Sequence, residues 1–480
     1  MMARAARIAV LSALALLSAC VVGPHYAPPP TPPAASGPLS AAASPAFSAT
    51  PPPDAWWRLY DDPAIDALVE KALIANTDLR IATANLQRAR ALLAEARTAQ
   101  LPSTTVNAGA GYGRTAAQGA QPAFNSEFYS AGFDVSYEID LFGRVSSSVA
   151  AARADADAAA ATRDGVRISV AAETTRAYAD ACSAAAQLAV ANQTLELQTQ
   201  TFDITERQAS AGRGSPVDVQ RARAQLESVR ATVPFYIASR RNALSRLAVL
   251  TGDPPEIVSP AAAACTTAPL LAKPLPVGDG GAMLKRRPDV RQADREFAAA
   301  TSRVGVATAA LYPSITLGGG INTLGSSVDA LGRSGSVSFS VGPLITWSFP
   351  NIAVARAQIA QANAVSDAAL ARFDGTVLNA LQETEIALTN YANELDRNAS
   401  LRRARDHNAE AVRIIRLRYT YGAENFLDVL DAQRALAETE ASTAASTATL
   451  TSNQITVFKA LGGGWQHMPP GSTNTAATTR

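Results

Sequence analysis

Asp428, Asp431 and Arg434 are the charged residues whose types and spacing best suit a chemical role. They follow one another at intervals of three residues in a segment with helical periodicity, so they share one helix face. Two carboxylates and a guanidinium in this arrangement are compatible with two roles. They are either a solvated helix surface or, where three copies of the chain surround one axis, a charged constriction that selects ions.

Cysteine is the second reactive residue type, and the chain has three. Cys182 lies in a helical segment, Cys265 lies in a linker rich in Pro, Gly and Ala, and Cys20 stands near the N-terminus. A disulfide between Cys182 and Cys265 and two unpaired buried thiols are both compatible with an oxidising compartment. The histidines are scattered and no Cys-x-x-Cys spacing occurs, so no metal site is predicted.

Motifs for catalysis do not stand out in the sequence. The nearest approach to a phosphate loop is Gly109-x-Gly111-x-Gly113, which lies in a strand-like segment with no helix opening after it. No local motif suggests a Ser-His-Asp triad or a pair of catalytic carboxylates. The net charge of +1 gives no reason to expect nucleic acid binding. We therefore expect a protein that is not an enzyme and needs no cofactor.

An internal duplication organises the chain. The stretches 204–226 and 414–436 are versions of one motif, in which Gly212 matches Gly422 and Asp218 matches Asp428. Landmarks before and after these stretches keep the same offset and the same order. A repeat of this length is far longer than a solenoid repeat, so it indicates a duplicated structural unit.

Each copy of the motif is predicted to be the tight tip of an αα-hairpin. Glycine adopts the left-handed conformation that ends a helix, and Ser215-Pro216 is a suitable start for the next one. The tips are predicted at 210–216 and 420–425. The first copy has Arg221 where the second has Asp431, so the two copies differ in charge on this face.

The N-terminus has the features of a secretion signal at residues 1–19. The quartet Leu17-Ser18-Ala19-Cys20 resembles a bacterial lipobox, which implies cleavage before Cys20 and acylation of that cysteine. Val21 follows where aspartate would signal retention in the inner membrane, so the resemblance implies sorting to the outer membrane. Residues 20–55 are rich in Pro, Ala and Ser and are predicted to be an extended tether without a core.

Four segments alternate between apolar and polar residues, which is typical of β-strands with two different faces. Their length is near that of a transmembrane strand, although a half-buried soluble sheet gives the same alternation. Asp134, Glu138 and Asp140 are predicted to face one aqueous lumen. Aromatic residues near the strand ends suggest a membrane girdle, namely Tyr129, Tyr137, Phe142 and Trp347. The predicted strands are 104–114, 129–141, 315–324 and 336–347.

The remaining segments are mostly helical. The longest pattern runs without proline from Phe142 to about Ser210, which at 1.5 Å per residue is on the order of 100 Å. The first repeat is assigned to 56–252, a linker at the equator of the helical part to 253–285, and the second repeat to 286–462. A disordered tail is predicted at 463–480. Four strands cannot close a barrel, so three copies are expected to supply twelve.

The sequence resembles the outer membrane factor family, the TolC-like channels of tripartite efflux pumps, over nearly the whole mature chain. The resemblance rests on the lipobox, the Trp56-Trp57 entry segment, Arg287-Pro288-Asp289-Val290-Arg291, Leu311-Tyr312-Pro313-Ser314 and both hairpin tips. It implies a fold that is mainly α with membrane β: a homotrimeric twelve-stranded barrel continuous with a long α-helical coiled-coil tunnel in the periplasm.

The resemblance also implies a function and partners. The trimer would sit in outer-membrane lipid and conduct substrates such as drugs from an inner-membrane pump, of the resistance-nodulation-division type, and its periplasmic adaptor. The tips, with Gly212, Ser215, Gly422 and Asn425, would contact the adaptor. The alternatives are the outer-membrane component of a type I protein secretion system and a lipid-anchored coiled-coil scaffold.

Residue roles at the narrow end of the tunnel follow only from the resemblance. Asp428 and Asp431 match paired aspartates whose rings constrict the tunnel, and Arg434 matches an arginine found beside them in some members. Tyr419 and Asp218 match a tyrosine and an aspartate that tie neighbouring helices together in the closed state. Glu424 departs from the family, because the best-known member has an arginine there that pairs with the position of Asp218. We expect repulsion between these two carboxylates.

Overall fold

A computed structural model describes residues 22–30, 37, 39–116, 123–350 and 352–466. The predicted signal peptide, Cys20 and most of the predicted tail lie outside the described residues. In chain order the elements are β1 (Phe47–Ser48), α1 (Pro63–Ala75), α2 (Thr77–Thr98), β2 (Ser103–Thr115), β3 (Phe124–Ile139), α3 (Arg144–Ser210), α4 (Pro216–Arg230), α5 (Thr232–Leu250), α6 (Pro260–Ala264), β4 (Leu275–Pro276), α7 (Gly280–Arg286), α8 (Pro288–Ala309), β5 (Ser314–Gly325), β6 (Val337–Thr346), α9 (Ile352–Thr420) and α10 (Phe426–Ala460).

Two helical segments that the sequence presents as continuous are each interrupted. Asn76 separates α1 from α2: its side-chain oxygen accepts from the Leu79 amide at 3.1 Å, and its amide nitrogen donates to the Leu250 carbonyl at 3.1 Å. Ala231 separates α4 from α5. Pro234 follows closely, and proline removes one helical hydrogen bond and clashes with the preceding turn, which accounts for the second interruption.

Strands β2, β3, β5 and β6 form one antiparallel sheet in that spatial order. The predicted strands 104–114, 315–324 and 336–347 each differ from β2, β5 and β6 by one residue at either end. The strand predicted at 129–141 was found but with wrong bounds, because β3 begins at Phe124 and ends at Ile139.

The chain divides into two compact units, and each unit draws on both repeats. Of the described residues, the first unit takes those within Met1–Pro30, Ala84–Ala160 and Gln292–Gly375, and the second takes those within Thr31–Thr83, Ala161–Arg291 and Thr376–Arg480. The duplication is therefore not a pair of separate domains. The four-stranded sheet takes two strands from each repeat, so the unit that contains it cannot form from one repeat alone.

The first unit contains the sheet and a small helical core. Tyr26 packs against buried Ala154, Ala298 and Ala299 and lies edge-on to Phe297, with ring centroids 5.8 Å apart. Its hydroxyl is hydrogen-bonded to the Asp294 carboxylate on α8. Tyr26 thus attaches the segment that follows Cys20 to this core, whereas the tether was predicted to have no core contact of its own.

The second unit is built around two tryptophans and a buried arginine. Trp56 and Trp57 are fully buried, and Trp56 stacks on Phe458 with centroids 4.9 Å apart. Arg287 donates to the Ala460 carbonyl at 2.8 Å and pairs with Glu383 at 2.7 Å. Burial opposes the charge of this guanidinium, but its hydrogen bonds to carboxylates outweigh burial and raise its pKa.

The predicted tether also packs in this unit. The Ser40 and Ala41 amides donate to the two oxygens of Glu385, at 2.7 and 2.9 Å. Phe47 is buried, and β1 pairs in parallel with β4 of the linker between the repeats. A Pro- and Ala-rich composition hides such anchoring, because a few apolar residues and backbone donors are enough to hold an extended segment.

Candidate functional site

The sheet has one apolar and one polar face. The register places Val106, Phe133, Ile321 and Phe339 on the same face, and all four are exposed in the single chain. The opposite face carries mainly Ser, Thr, Asn and Gly on all four strands. A sheet with an apolar face that the chain does not cover suits an environment with lipid on one side and water on the other.

Of the three carboxylates predicted to face the lumen, only Asp134 lies on the polar face without an ion pair in the described part of the chain. Asp134 lies on that face in β3. Glu138 is on the same face but pairs with Arg144, whose Nε donates at 2.8 Å. Asp140 lies beyond the end of β3, and its oxygens accept from the Val145 and Ser146 amides at 2.9 and 2.7 Å, so it caps α3 instead.

The aromatic residues predicted for a girdle divide into two groups. Tyr129 and Tyr137 are on the apolar face of β3. Phe142 and Trp347 lie just outside the strands: Phe142 stacks on Tyr312 with centroids 4.6 Å apart, and Trp347 stacks on Phe349 at 4.8 Å. The end of the sheet next to the helices thus carries paired rings, as amphipathic membrane boundaries do.

The two hairpin tips have the same backbone geometry. Gly212 and Gly422 have φ of 71° and 73°, in the left-handed region. The Arg213 amide donates to the Gln208 carbonyl at 2.8 Å, and the Ala423 amide donates to the Arg418 carbonyl at 2.9 Å. These bonds form the Schellman arrangement at the end of α3 and of α9.

The helices after the tips begin with side-chain caps. The Ser215 hydroxyl oxygen accepts from the Val217 amide at 3.2 Å at the start of α4. The Asn425 side-chain oxygen accepts from the Asp428 amide at 3.0 Å at the start of α10. Each predicted tip residue therefore has a defined structural task, and the loop surface around the glycines is exposed.

Asp428, Asp431 and Arg434 lie along the start of α10. Asp431 and Arg434 form an ion pair at 3.4 Å, and each side chain is 59% exposed. Arg434 is also 3.4 Å from the Gln225 side-chain oxygen on α4. Within the described part of the chain, Asp428 has no ion pair. One carboxylate of the predicted pair is thus balanced by its own helix, and the other is not.

The residues expected to tie neighbouring helices have other partners within the chain. The Tyr419 hydroxyl donates to the Gln208 side-chain oxygen at 2.6 Å and so connects α9 to α3. Asp218 is 3.7 Å from Arg221 on its own helix. Within the described chain, Tyr419 and Asp218 form no hydrogen bond with each other. Gln208 is a contact that sequence reasoning missed, since 211 positions separate it from Tyr419.

Glu424 also differs from expectation. Arg418 in the last turn of α9 donates to the Glu424 carboxylate at 2.9 Å, which closes the tip with an ion pair. Repulsion between Glu424 and Asp218 was expected, but each carboxylate has an arginine partner. The sequence signal for this pair was available, because the Schellman turn returns the chain to within reach of residue 418.

Cys182 and Cys265 are joined in a disulfide, with their Cα atoms 5.1 Å apart. The bond attaches the linker after α6 to the fully buried Cys182 on α3. Among the described residues there is no group of three or more His, Cys, Asp or Glu that would hold a metal ion. No helix in the described part of the chain is both long and apolar enough to cross a membrane.

Comparison with known proteins gives a consistent result. The family model described as outer membrane efflux protein matches residues 68–253 and 281–463. The toluene efflux pump outer membrane protein TtgF of Pseudomonas putida is 30% identical over 86% of this chain and 86% of its own length. The probable outer membrane lipoprotein SilC of Salmonella typhimurium is 27% identical over 95% of this chain and 98% of its own.

The fold is also that of solved channels. The outer-membrane channel OprN superposes with a TM-score of 0.89 at 36% identity, covering 93% of this chain and all of that one.

Proposed function

The chain belongs to the outer membrane efflux protein family, and we propose that three copies form the outer-membrane channel of a tripartite efflux pump. The observation that carries this proposal is the two-faced sheet. Its apolar face is uncovered, its polar face is lined by small polar side chains, and in the described residues β2 and β6 are edge strands without a further partner. In lipid an open sheet edge is not viable, so the strands must close with other copies.

A trimer of this chain satisfies the strand count of a membrane barrel. Four strands are too few for a closed membrane barrel, whereas twelve lie within the range of known sizes. The polar faces would then line a water-filled lumen, and the apolar faces would contact lipid. The helices α3 and α9, with 67 and 69 residues, supply the length for a periplasmic tunnel of about 100 Å.

We assign the adaptor contact to the two tips and the gate to the start of α10. Gly212, Ser215, Gly422 and Asn425 hold two similar exposed turns, which suits a repeated contact with a periplasmic adaptor. The pump beneath it would be of the resistance-nodulation-division type. Around a threefold axis, the Asp428 side chains of three copies would concentrate negative charge at one constriction, where Arg434 partly balances Asp431.

We also propose that the chain is anchored by a lipid on Cys20. A single acyl chain holds a protein to a membrane only weakly, but several chains together with a barrel hold it firmly. The support is the lipobox-like quartet and the similarity to SilC. Replacement of Cys20 by serine should abolish incorporation of labelled palmitate; labelling that persists in that variant would refute the anchor.

The channel function is tested by complementation. A strain that lacks the outer-membrane channel of its resistance-nodulation-division pump, but keeps the adaptor and the pump, is supplied with this chain. We expect resistance to a pump substrate to return, and to be absent with a pump that has no proton-coupling activity. Export to the outer membrane without any restored resistance would contradict the proposed function.

A further inference from the structure

Two glycines create a gap on the polar face of the sheet. Gly132 on β3 is paired with Asn107 on β2 and with Asn322 on β5. Gly320, also on β5, is paired with Asp134. All five residues are on the same face, so three side chains with oxygen atoms surround two positions that have no side chain.

The three side chains fold into this gap. A Cβ atom at residue 132 would lie 2.0 Å from Asn322 Oδ1 and 2.3 Å from Asn107 Oδ1. A Cβ atom at residue 320 would lie 2.2 Å from Asp134 Oδ1. Any residue other than glycine would displace these oxygens, so the glycines are what allows the oxygens to converge.

The two amide oxygens converge on one position of the sheet. Both amide oxygens lie within 2.3 Å of one point, the position that a Cβ of residue 132 would take. The amide nitrogen of Asn107 is turned away and donates to Asp134 Oδ2 at 3.0 Å. Two acceptors this close repel each other unless a proton donor or a cation lies beside them, and the carboxylate favours the cation.

The charge of the polar face supports a cation as well. On the described strands this face carries no Lys or Arg. Glu138 is balanced by Arg144, which leaves Asp134 as the carboxylate of this face without an ion pair. An unbalanced carboxylate beside two amide oxygens is the donor set of a hard cation such as Ca²⁺, which accepts 6–8 oxygen ligands at about 2.3–2.6 Å and is tolerant of water in its shell.

We propose that Asp134, Asn107 and Asn322 bind one divalent cation per chain, Ca²⁺ fitting better than Mg²⁺. Mg²⁺ demands short bonds in near-ideal octahedral geometry, whereas Ca²⁺ accepts an irregular set of three protein ligands completed by water. In the channel, the bound cation offsets the negative charge of the lumen wall, so external Ca²⁺ lowers the passage of monovalent cations. The effect of Ca²⁺ on monovalent cations rests on the proposed function; the binding of Ca²⁺ does not.

The site is tested by calorimetric titration of the purified full-length protein with CaCl₂ in a chelator-treated buffer. We expect one Ca²⁺ bound at this site per chain. Asn322→Ala removes an oxygen ligand without changing any charge and should weaken binding by about tenfold or more. Asn322→Asp adds a charge to the same position and should strengthen binding. Asp134→Asn should abolish it.

Glu127→Gln is the matched control. It removes one negative charge from the same strand, but on the opposite face, where the Glu127 carboxylate accepts a hydrogen bond from the Tyr129 hydroxyl at 3.3 Å. This variant should bind Ca²⁺ as the wild type does. The absence of Ca²⁺ binding in the wild type, or unchanged binding in both Asn322 variants, would overturn the proposal. A loss in Glu127→Gln equal to that in Asp134→Asn would overturn it too, because a general field would then account for binding.

Failure of this proposal and failure of the channel function give different results. A channel that restores resistance but binds no Ca²⁺ at this site contradicts the cation site alone. Binding that is lost in Asn322→Ala, in a protein that restores no resistance, contradicts the channel alone.

Discussion

At the scale of single residues, the tips depend on glycine for their backbone and not for space. Gly422 has φ of 73°, and a Cβ added there would meet nothing within 4 Å. The cost of a side chain is therefore backbone strain alone, roughly 1 kcal/mol. Gly422→Ala should speed amide hydrogen exchange at residues 418–426 by about fivefold, since local opening becomes easier by that amount.

Gly375 is the matched control for this prediction. A Cβ at Gly375 also meets nothing within 4 Å, but the residue lies inside α9 with ordinary helical φ. Gly375→Ala should leave exchange at the tip unchanged and stabilise its own helix by about 1 kcal/mol. Equal exchange at residues 418–426 in Gly422→Ala and the wild type would show that the tip does not need the left-handed conformation.

The environment of Glu440 disfavours the charged form of its side chain. The side chain is partly buried on α10; burial raises its pKa above the ordinary 4.5, and a hydrogen bond with Thr194 and the charge of Arg405 only partly oppose this. A raised pKa in the folded state means that stability is greatest below the ordinary pKa and falls as pH rises through the folded value.

Glu440→Gln should therefore unfold at a higher temperature than the wild type at neutral pH. Glutamine keeps the shape and does not titrate, so the difference in Tm should shrink as pH falls below about 4.5. The measurement is thermal unfolding of both proteins in detergent from pH 4 to pH 7. A difference that is constant with pH, or that grows towards low pH, would contradict the role of burial.

At the scale of elements, the strands show what a sequence pattern can and cannot predict. The period of two in β3 is regular from Tyr129 onwards, so the strand was found. It is inverted before that point, where Phe124 and Phe128 lie on the polar face and Asn125 and Glu127 on the apolar face. A strand predicted from alternation alone begins where the alternation becomes regular. The first residues of β3 were missed for this reason.

Side-chain partners were predictable only where they are local. The glycine geometry at both tips followed from residue type and position. The hydrogen bond between Tyr419 and Gln208 joins helices that are far apart in the chain. The capping role of Asp140 depends on the residue at which α3 begins. Such contacts are decided by tertiary packing, which periodicity does not contain.

The linker between the repeats is the element most dependent on a covalent bond. The disulfide between Cys182 and Cys265 spans 83 residues, and the Gln454 side chain and the backbone of Leu271 exchange two further hydrogen bonds, at 3.0 and 3.2 Å. Closing a loop of this size constrains the unfolded chain by about 4–5 kcal/mol. Cys265→Ser should lower the free energy of unfolding by an amount of that order.

The double variant with both cysteines replaced by serine is the control. It removes the same single bond and should be as unstable as Cys265→Ser, and reductant should bring the wild type to the same stability. Thiol titration of the unfolded wild type should detect neither Cys182 nor Cys265. Detection of both thiols, with no change of stability in the variants, would refute the structural role of the bond.

At the scale of the whole molecule, the duplicated motif and the alternation predicted the plan of strands and helices, and the family came from the resemblance of short motifs such as Arg287-Pro288-Asp289-Val290-Arg291. The grouping of the chain into two units was not, because each unit combines segments of both repeats. A duplication shows which segments are alike and does not show which segments pack together. The sheet illustrates this point: β3 of the first repeat pairs with β5 of the second.

The proposed channel requires that copies of this chain assemble into a gated conduit, and the decisive measurement is single-channel recording of the purified protein in planar bilayers. We predict discrete current steps of one size class and selectivity for cations, with lower cation selectivity and weaker block by divalent cations in the variant carrying Asp428→Ala and Asp431→Ala. Bilayers that show no current steps with a trimeric wild-type preparation would contradict the conduit. Steps with unchanged selectivity and block in the variant would place those aspartates outside the conducting path.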